Sequence, residues 1–304
     1  MGTHQRKPRL GLVLGSGSAR GWAHIGIIQT LEQAGLRPDI ICGTSIGALV
    51  GAAYAVGEIN RFEKWVLGLR IKDIVSFMDL HLNGGMLKGE RLMAFFRDNF
   101  IDSPVEALNI PFGAVATALH TGNEVWLRTG SAVGVVRASI ALPGLFSPVW
   151  HDGQLLVDGG LVNPVPVSLA RAMGAEVIIA VDLNSDILSR HLNHNEQEDA
   201  PGPISSAWMR RLQQNLNTLL PEPPPDAQRL PSVLDVVATS LNIMQVRITR
   251  SRMAGDPPDI VISPRLAHLG LLDFHRAQAA IDEGRRAATA SLPQLVELGL
   301  IPQP

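Results

Sequence analysis

Cysteine is almost missing from this chain: Cys42 stands alone among 304 residues. A single thiol excludes an intramolecular disulfide framework and a cysteine-based metal cluster, and it leans towards a reducing compartment. Excess charge is lacking too, with 26 Lys and Arg against 28 Asp and Glu for a formal net charge of -2. Nucleic acid is therefore excluded as a partner, because no basic field is available to hold a phosphate backbone. Aromatic residues make up only 5% of the chain. The His and Asp residues show no cluster at metal-ligand spacing, so no metal is expected. The N-terminal stretch "MGTHQRKPRLGLVLG" has an apolar run too short for a signal-peptide core, and Arg at position 6 breaks a myristoylation pattern. These absences lead us to expect a cytoplasmic protein.

The longest uncharged stretch, Ile40 to Gly57, approaches the length of a spanning helix. Its four glycines, Thr44 and Ser45 favour another reading: a buried strand, a sharp Gly-x-Ser-x-Gly turn and a buried helix. Elsewhere "RLGLVLG", "FGAVATAL", "EVIIAVDL" and "DIVISP" read as buried strands. Helical patterns cover Arg20 to Ala34, Val133 to Ala141, Pro164 to Met173, Ser232 to Met253 and Phe274 to Ala288. This alternation predicts an α/β fold with a mostly parallel central sheet and helices on both faces. Asp152-Gly153 between apolar runs predicts a hairpin turn.

A single domain over 1–304 is expected, with its core in 8–184 and 232–300. Residues 185–231 turn polar and Pro-rich, which predicts a flexible insertion. Inside it Trp208, Leu212, Leu216 and Leu219 recur at helical spacing, with Arg210 and Arg211 falling largely elsewhere. Such a short amphipathic helix suits peripheral contact with an anionic membrane face, or packing back on the core or a second subunit.

Ser45, flanked by Gly43 and Gly47 where strand meets helix, is the candidate nucleophile. The small neighbours permit a strained turn, and the helix N-terminus offers N–H groups to a developing oxyanion. A second strand-to-helix loop, "GSGSARG", holds Gly15, Ser16, Gly17, Arg20 and Gly21. Its glycine spacing is one residue too long for a dinucleotide fingerprint, and no acidic residue ends the next strand. A phosphate loop lacks its Gly-Lys-Ser/Thr, so no cofactor is expected. The loop is left as a set of amides aimed at an oxyanion. Among nine histidines, His268 and His275 come late enough to serve a Ser-Asp-His order, yet only one strand precedes Ser45, unlike an α/β-hydrolase. Asp158, in "QLLVDGGLVNPVP", either serves a plain turn or ends a strand at the sheet edge where sites form.

Together "GSGSARGWAHIG", "GTSIG", "RASIALPGLFSPV" and "DGGLVNPVP" resemble patatin-like phospholipases, of the bacterial RssA-type branch related to the catalytic domain of neuropathy target esterase. The resemblance implies a Ser45–Asp158 dyad and an oxyanion-hole segment at Gly15 to Gly17, followed by Arg20 and Gly21. Gly43, Gly47, Gly159 and Gly160 match its motifs. Ser16 departs from the family's Gly-Gly-Gly but keeps a backbone N–H. The implied activity is a serine esterase acting on fatty acyl esters of lipids, lysophospholipase- or phospholipase-like, through an acyl-enzyme. The Gly15 to Gly17 amides and the Ile46 amide would hold the oxyanion. Leu142, Leu145 and Phe146 form either an acyl-pocket wall or plain core. An acyltransferase with the same acyl-enzyme, and a regulatory binding module that keeps the fold, stand as alternatives.

Overall fold

The computed structural model describes residues 6–77, 89–100, 103–143, 145–187 and 233–303. The sequence-based expectation for Trp208, Leu212, Leu216 and the rest of the polar insertion lies outside them. Five parallel strands make up most of an eight-stranded sheet: β1 (Leu10–Leu14), β2 (Ile40–Thr44), β3 (Phe112–Ala118), β7 (Val177–Val181) and β8 (Ile260–Ile262), in the order β3-β2-β1-β7-β8 with β8 at one edge. Three antiparallel strands, β4 (Glu124–Leu127), β5 (Val149–His151) and β6 (Gln154–Asp158), complete it around β3. The hairpin turn between β5 and β6 has positive φ at both Asp152 and Gly153, the geometry that favours these residue types.

Both faces of β1, β2, β3 and β7 are covered, as continuous apolar strands require. On β1, Leu10, Leu12 and Leu14 enter the larger core cluster while Val13 enters the smaller. The larger is covered by α1 (Ala23–Gln33), α2 (Ile46–Ala55), α3 (Ile59–Leu67), α5 (Glu90–Asn99), α6 (Ala132–Ser139) and α9 (Ala277–Glu297). The smaller is covered by α7 (Val167–Ala172), with Met253 of α8 (Val233–Gly255) packed against it. The helix α4 (Ile71–Phe77) adds Ile74 to a small cluster with Leu145 and Phe146. Helix α9 runs nine residues past the expected end at Ala288, through Pro293, because Leu292, Leu295 and Val296 still pack on the core. Among the described residues no helix is long and apolar enough to cross a membrane; the uncharged stretch after Ile40 divides into β2 and α2.

The register of β3 brings two distant segments together. Ala114 and Val115 pair with both β2 and β4, while Ala116 and Thr117 pair with both β4 and β6. A strand has two edges, so β2 and β6 must share one and β4 take the other. β2 ends at Thr44 opposite Val115, and the antiparallel β6 ends at Asp158 opposite Ala116. The two chains therefore meet head-on at the C-terminal side of the parallel strands.

Candidate active site

Ser45 is the residue between β2 and α2, with φ 57 and ψ -124. A non-glycine residue there is strained, and the surrounding contacts must hold it. Its backbone N–H donates to Ser139 Oγ at 2.9 Å, and that hydroxyl donates to the Val115 carbonyl at 2.6 Å. The flanking glycines are required by close approach. A Cβ on Gly43 would lie 2.5 Å from Ala48 N, and one on Gly47 would lie 2.1 Å from the Leu14 carbonyl oxygen. Gly21 likewise leaves room for the Ile46 side chain, and Gly159 for the Val115 carbonyl.

Ser45 Oγ donates to Asp158 Oδ2 at 2.6 Å, and the Gly160 N–H donates to Asp158 Oδ1 at 2.7 Å. The carboxyl group is buried, which raises its pKa to about 6 against the opposing hydrogen bonds from Ser45 and Gly160. Burial disfavours the charged form, and here it outweighs two donors. Thr117 Oγ1 donates to the Asp158 carbonyl at 2.8 Å, and Thr44 Oγ1 to the Asn163 carbonyl at 2.8 Å, so hydroxyls on β2 and β3 tie down the loop that carries Asp158.

The loop after β1 differs from expectation in its donors. The Gly15 N–H donates to the Val181 carbonyl at 3.1 Å and the Ser16 N–H to the Pro164 carbonyl at 2.8 Å. Those two amides are already engaged by protein carbonyls. Their hydrogen bonds fix the loop across the ends of β7 and α7 instead. Among the described residues the N–H groups of Gly17, Ser18 and Ile46 have no hydrogen-bond partner, and all three residues line the pocket with Ser45.

Arg20 is buried behind this loop. Its Nε donates to the Gly17 carbonyl at 3.1 Å and its Nη2 to Asn242 Oδ1 at 3.0 Å. Burial lowers the guanidinium to about 10, with Asp186 and Asp182 pulling the other way, so the charge persists at neutral pH. His24 is also buried, and desolvation lowers it to about 4 despite its bond to the Gly15 carbonyl. The ring is neutral, and because a carbonyl only accepts, Nε2–H donates to Gly15 at 2.8 Å. Its role is to brace the loop.

The pocket above Ser45 is lined by Leu49, Trp65, Ile140, Leu142, Leu145 and Phe146, with Leu241, Asn242 and Gln245 from α8. Among the described residues no histidine, His268 and His275 included, lines it. The sequence reading missed Ser139, although it lies within the quoted "RASIALPG", and did not single out the α8 carboxamides, although the family resemblance continues through "SLNIMQVR".

The fold and the pocket define an α/β protein with a serine–carboxylate pair at the C-terminal edge of a parallel sheet, open to an apolar cavity. The family model described as Patatin-like phospholipase matches residues 12–171, and the chain belongs to that family of lipid-ester hydrolases. An uncharacterized NTE family protein of Mycobacterium tuberculosis is 31% identical over 94% of this chain and 91% of its own length. A second such protein from that organism is 32% identical over 94% of this chain but 47% of its own length. The protein named lysophospholipase nte1 of Emericella nidulans is 27% identical over 97% of this chain, which spans 19% of that protein. Among solved structures, VipD from Legionella pneumophila matches with a TM-score of 0.58 and 16% identity over 95% of this chain and 67% of that one, a likeness of fold.

Proposed function

We propose that the chain hydrolyses fatty acyl esters of lysophospholipids and phospholipids through a Ser45 acyl-enzyme, with Asp158 as the base. The observation that carries the reading is the 2.6 Å hydrogen bond from the Ser45 hydroxyl to a carboxylate buried beneath an apolar pocket. An exposed carboxylate is a weak base towards a hydroxyl; raising it to about 6 narrows the gap while leaving the group ionised at neutral pH.

Asp158 Oδ2 takes the proton as Ser45 Oγ attacks the acyl carbonyl carbon. The carbonyl π electrons move onto oxygen, and the amides of Gly17, Ser18 and Ile46 stabilise that charge together with the α2 N-terminus. Collapse of the intermediate breaks the ester bond, and the leaving alcohol receives the proton from Asp158. Water then attacks the acyl-enzyme, gives its proton to Asp158, and the fatty acid departs as Ser45 is reprotonated. No step requires histidine. The name of the fungal relative supports a lysophospholipid substrate, and the stripe of Trp208, Leu212 and Leu216 supports peripheral contact with a lipid surface.

The test is fluorophosphonate labelling and ester hydrolysis by wild type and Ser45→Ala. Ser45→Ala should stay folded, since little volume is lost, and should lose both signals. Retention of most activity by a folded Ser45→Ala protein sinks the serine mechanism.

A further inference from the structure

Asn242 and Gln245 line the same pocket as Ser45, and the acyl-transfer steps leave both unused. They stand three residues apart on α8 and so share a face. In each, the side-chain oxygen is already occupied. Asn242 Oδ1 accepts from the buried Arg20 guanidinium at 3.0 Å. Gln245 Oε1 accepts from the Ser16 hydroxyl at 3.1 Å and from Asn184 Nδ2 at 3.3 Å.

Chemistry fixes which way these amides face. Asn184 Nδ2 also donates to the Ser16 carbonyl at 3.1 Å, an atom that can only accept. Asn184 must present nitrogen there, and Gln245 must meet that nitrogen with oxygen. A guanidinium offers only donors, so Asn242 must likewise present oxygen to Arg20. Both NH₂ groups are thereby left without a hydrogen-bond partner among the described residues. The Gln245 nitrogen lies over Gly160: a Cβ there would be 2.6 Å from Gln245 Nε2 and 3.0 Å from Asp158 Oδ1. Its donors are therefore held beside the carboxylate that faces Ser45.

We infer that Gln245, backed by Asn242, is a specificity-determining subsite that donates to a hydroxyl oxygen on the carbon next to the esterified one, as in a monoacylated glycerol unit. This rests on the Ser45 acyl-enzyme reading. Apart from Ser16 and Ser18, whose hydroxyls donate to Gln245 Oε1 and the Leu271 carbonyl, the wall beyond Ser45 is mostly apolar and suits an acyl chain, which carries no acceptor beyond the reacting ester. Only the alcohol side of the substrate brings further oxygens, and the nearest to the scissile bond sits on the adjacent carbon. An unpaired amide in an apolar pocket disfavours any ligand that buries it without an acceptor, so the arrangement discriminates against an alcohol lacking that hydroxyl.

The experiment compares kcat/KM for 1-acyl-glycerophosphocholine, its 2-deoxy analogue with the same chain and headgroup, and a short-chain p-nitrophenyl ester. The enzymes are wild type, Gln245→Met and Gln245→Glu. The glutamate keeps the oxygen that Ser16 and Asn184 contact and replaces the donor by an acceptor, so it separates donation from bracing the loop. Wild type should favour the hydroxyl substrate over the deoxy analogue by about tenfold or more. Both variants should bring that ratio close to one, and lose more on the hydroxyl substrate than on the p-nitrophenyl ester. A wild-type ratio near one overturns the inference, as does a ratio retained by the variants while all three substrates fall in parallel. If wild type hydrolyses none of the three esters, the Ser45 reading itself fails and takes this one with it.

Discussion

At Asp158 the demands of stability and of chemistry oppose one another. Its carboxyl is raised to about 6 by burial, so the folded state binds the proton more tightly than the unfolded chain does. The group's contribution to stability is complete below the ordinary carboxylate range and is lost as pH rises through about 6. Above that the buried charge destabilises the fold by about 1–3 kcal/mol. Asp158→Asn should therefore raise Tm at pH 8, and the gain should shrink as pH falls towards 4, which thermal scans at several pH values will check. The same substitution should lower kcat by several powers of ten, because the amide cannot take the Ser45 proton. In wild type, kcat/KM should climb with a midpoint near 6 and then level off. A flat profile from pH 5 to 8 would argue against Asp158 as base.

At the scale of elements, the turn from β2 to α2 is held from outside by α6. Ser139 is the last residue of that helix, and it relays the Ser45 N–H to the Val115 carbonyl. Ser139→Ala strands a buried donor and a buried acceptor, at a cost of about 1–3 kcal/mol in stability. It should also lower kcat more than it raises KM, because the nucleophile loses its anchor while the pocket wall stays in place. Denaturant melts and steady-state kinetics on a short-chain ester measure both. The turn itself was legible in "CGTSIG": close approach of the Ala48 and Leu14 backbones admits only glycine at 43 and 47. Ser139 was not legible, because its partners lie 94 and 24 residues away and no local pattern encodes such a contact. Helices α3 and α5 and the short β4 also went unread. Their apolar residues matter through packing of Phe62, Trp65, Phe96 and Phe100 against one another.

For the whole molecule, scarce aromatic residues are concentrated where the lipid would enter. Trp22, Trp65, Phe146 and Phe274 line the pocket, and Trp22 and Trp65 both stack on or against Phe62. A pocket of this kind accepts an acyl chain from a lipid aggregate only if the enzyme reaches the aggregate. Changing Trp208 and Leu212 together to Ser should weaken binding to anionic vesicles and slow vesicle hydrolysis, while hydrolysis of a soluble short-chain ester persists. Sedimentation with vesicles, run beside the soluble assay, checks this. Equal vesicle binding by variant and wild type would reject the membrane role.

The α/β alternation, the buried parallel strands and the two strand-to-helix loops follow from local apolar runs and glycines, so the sequence alone determined the fold class and nominated Ser45, Asp158 and the Gly15–Gly17 loop. Which amides of that loop stay free, and which hydroxyls and carboxamides surround the pair, was decided only by tertiary structure. Val181 and Pro164 take the N–H groups of Gly15 and Ser16, and Gln245 reaches Ser16 across 229 residues. A backbone donor looks the same in every sequence; whether it is engaged depends on which carbonyl the folded chain brings opposite it.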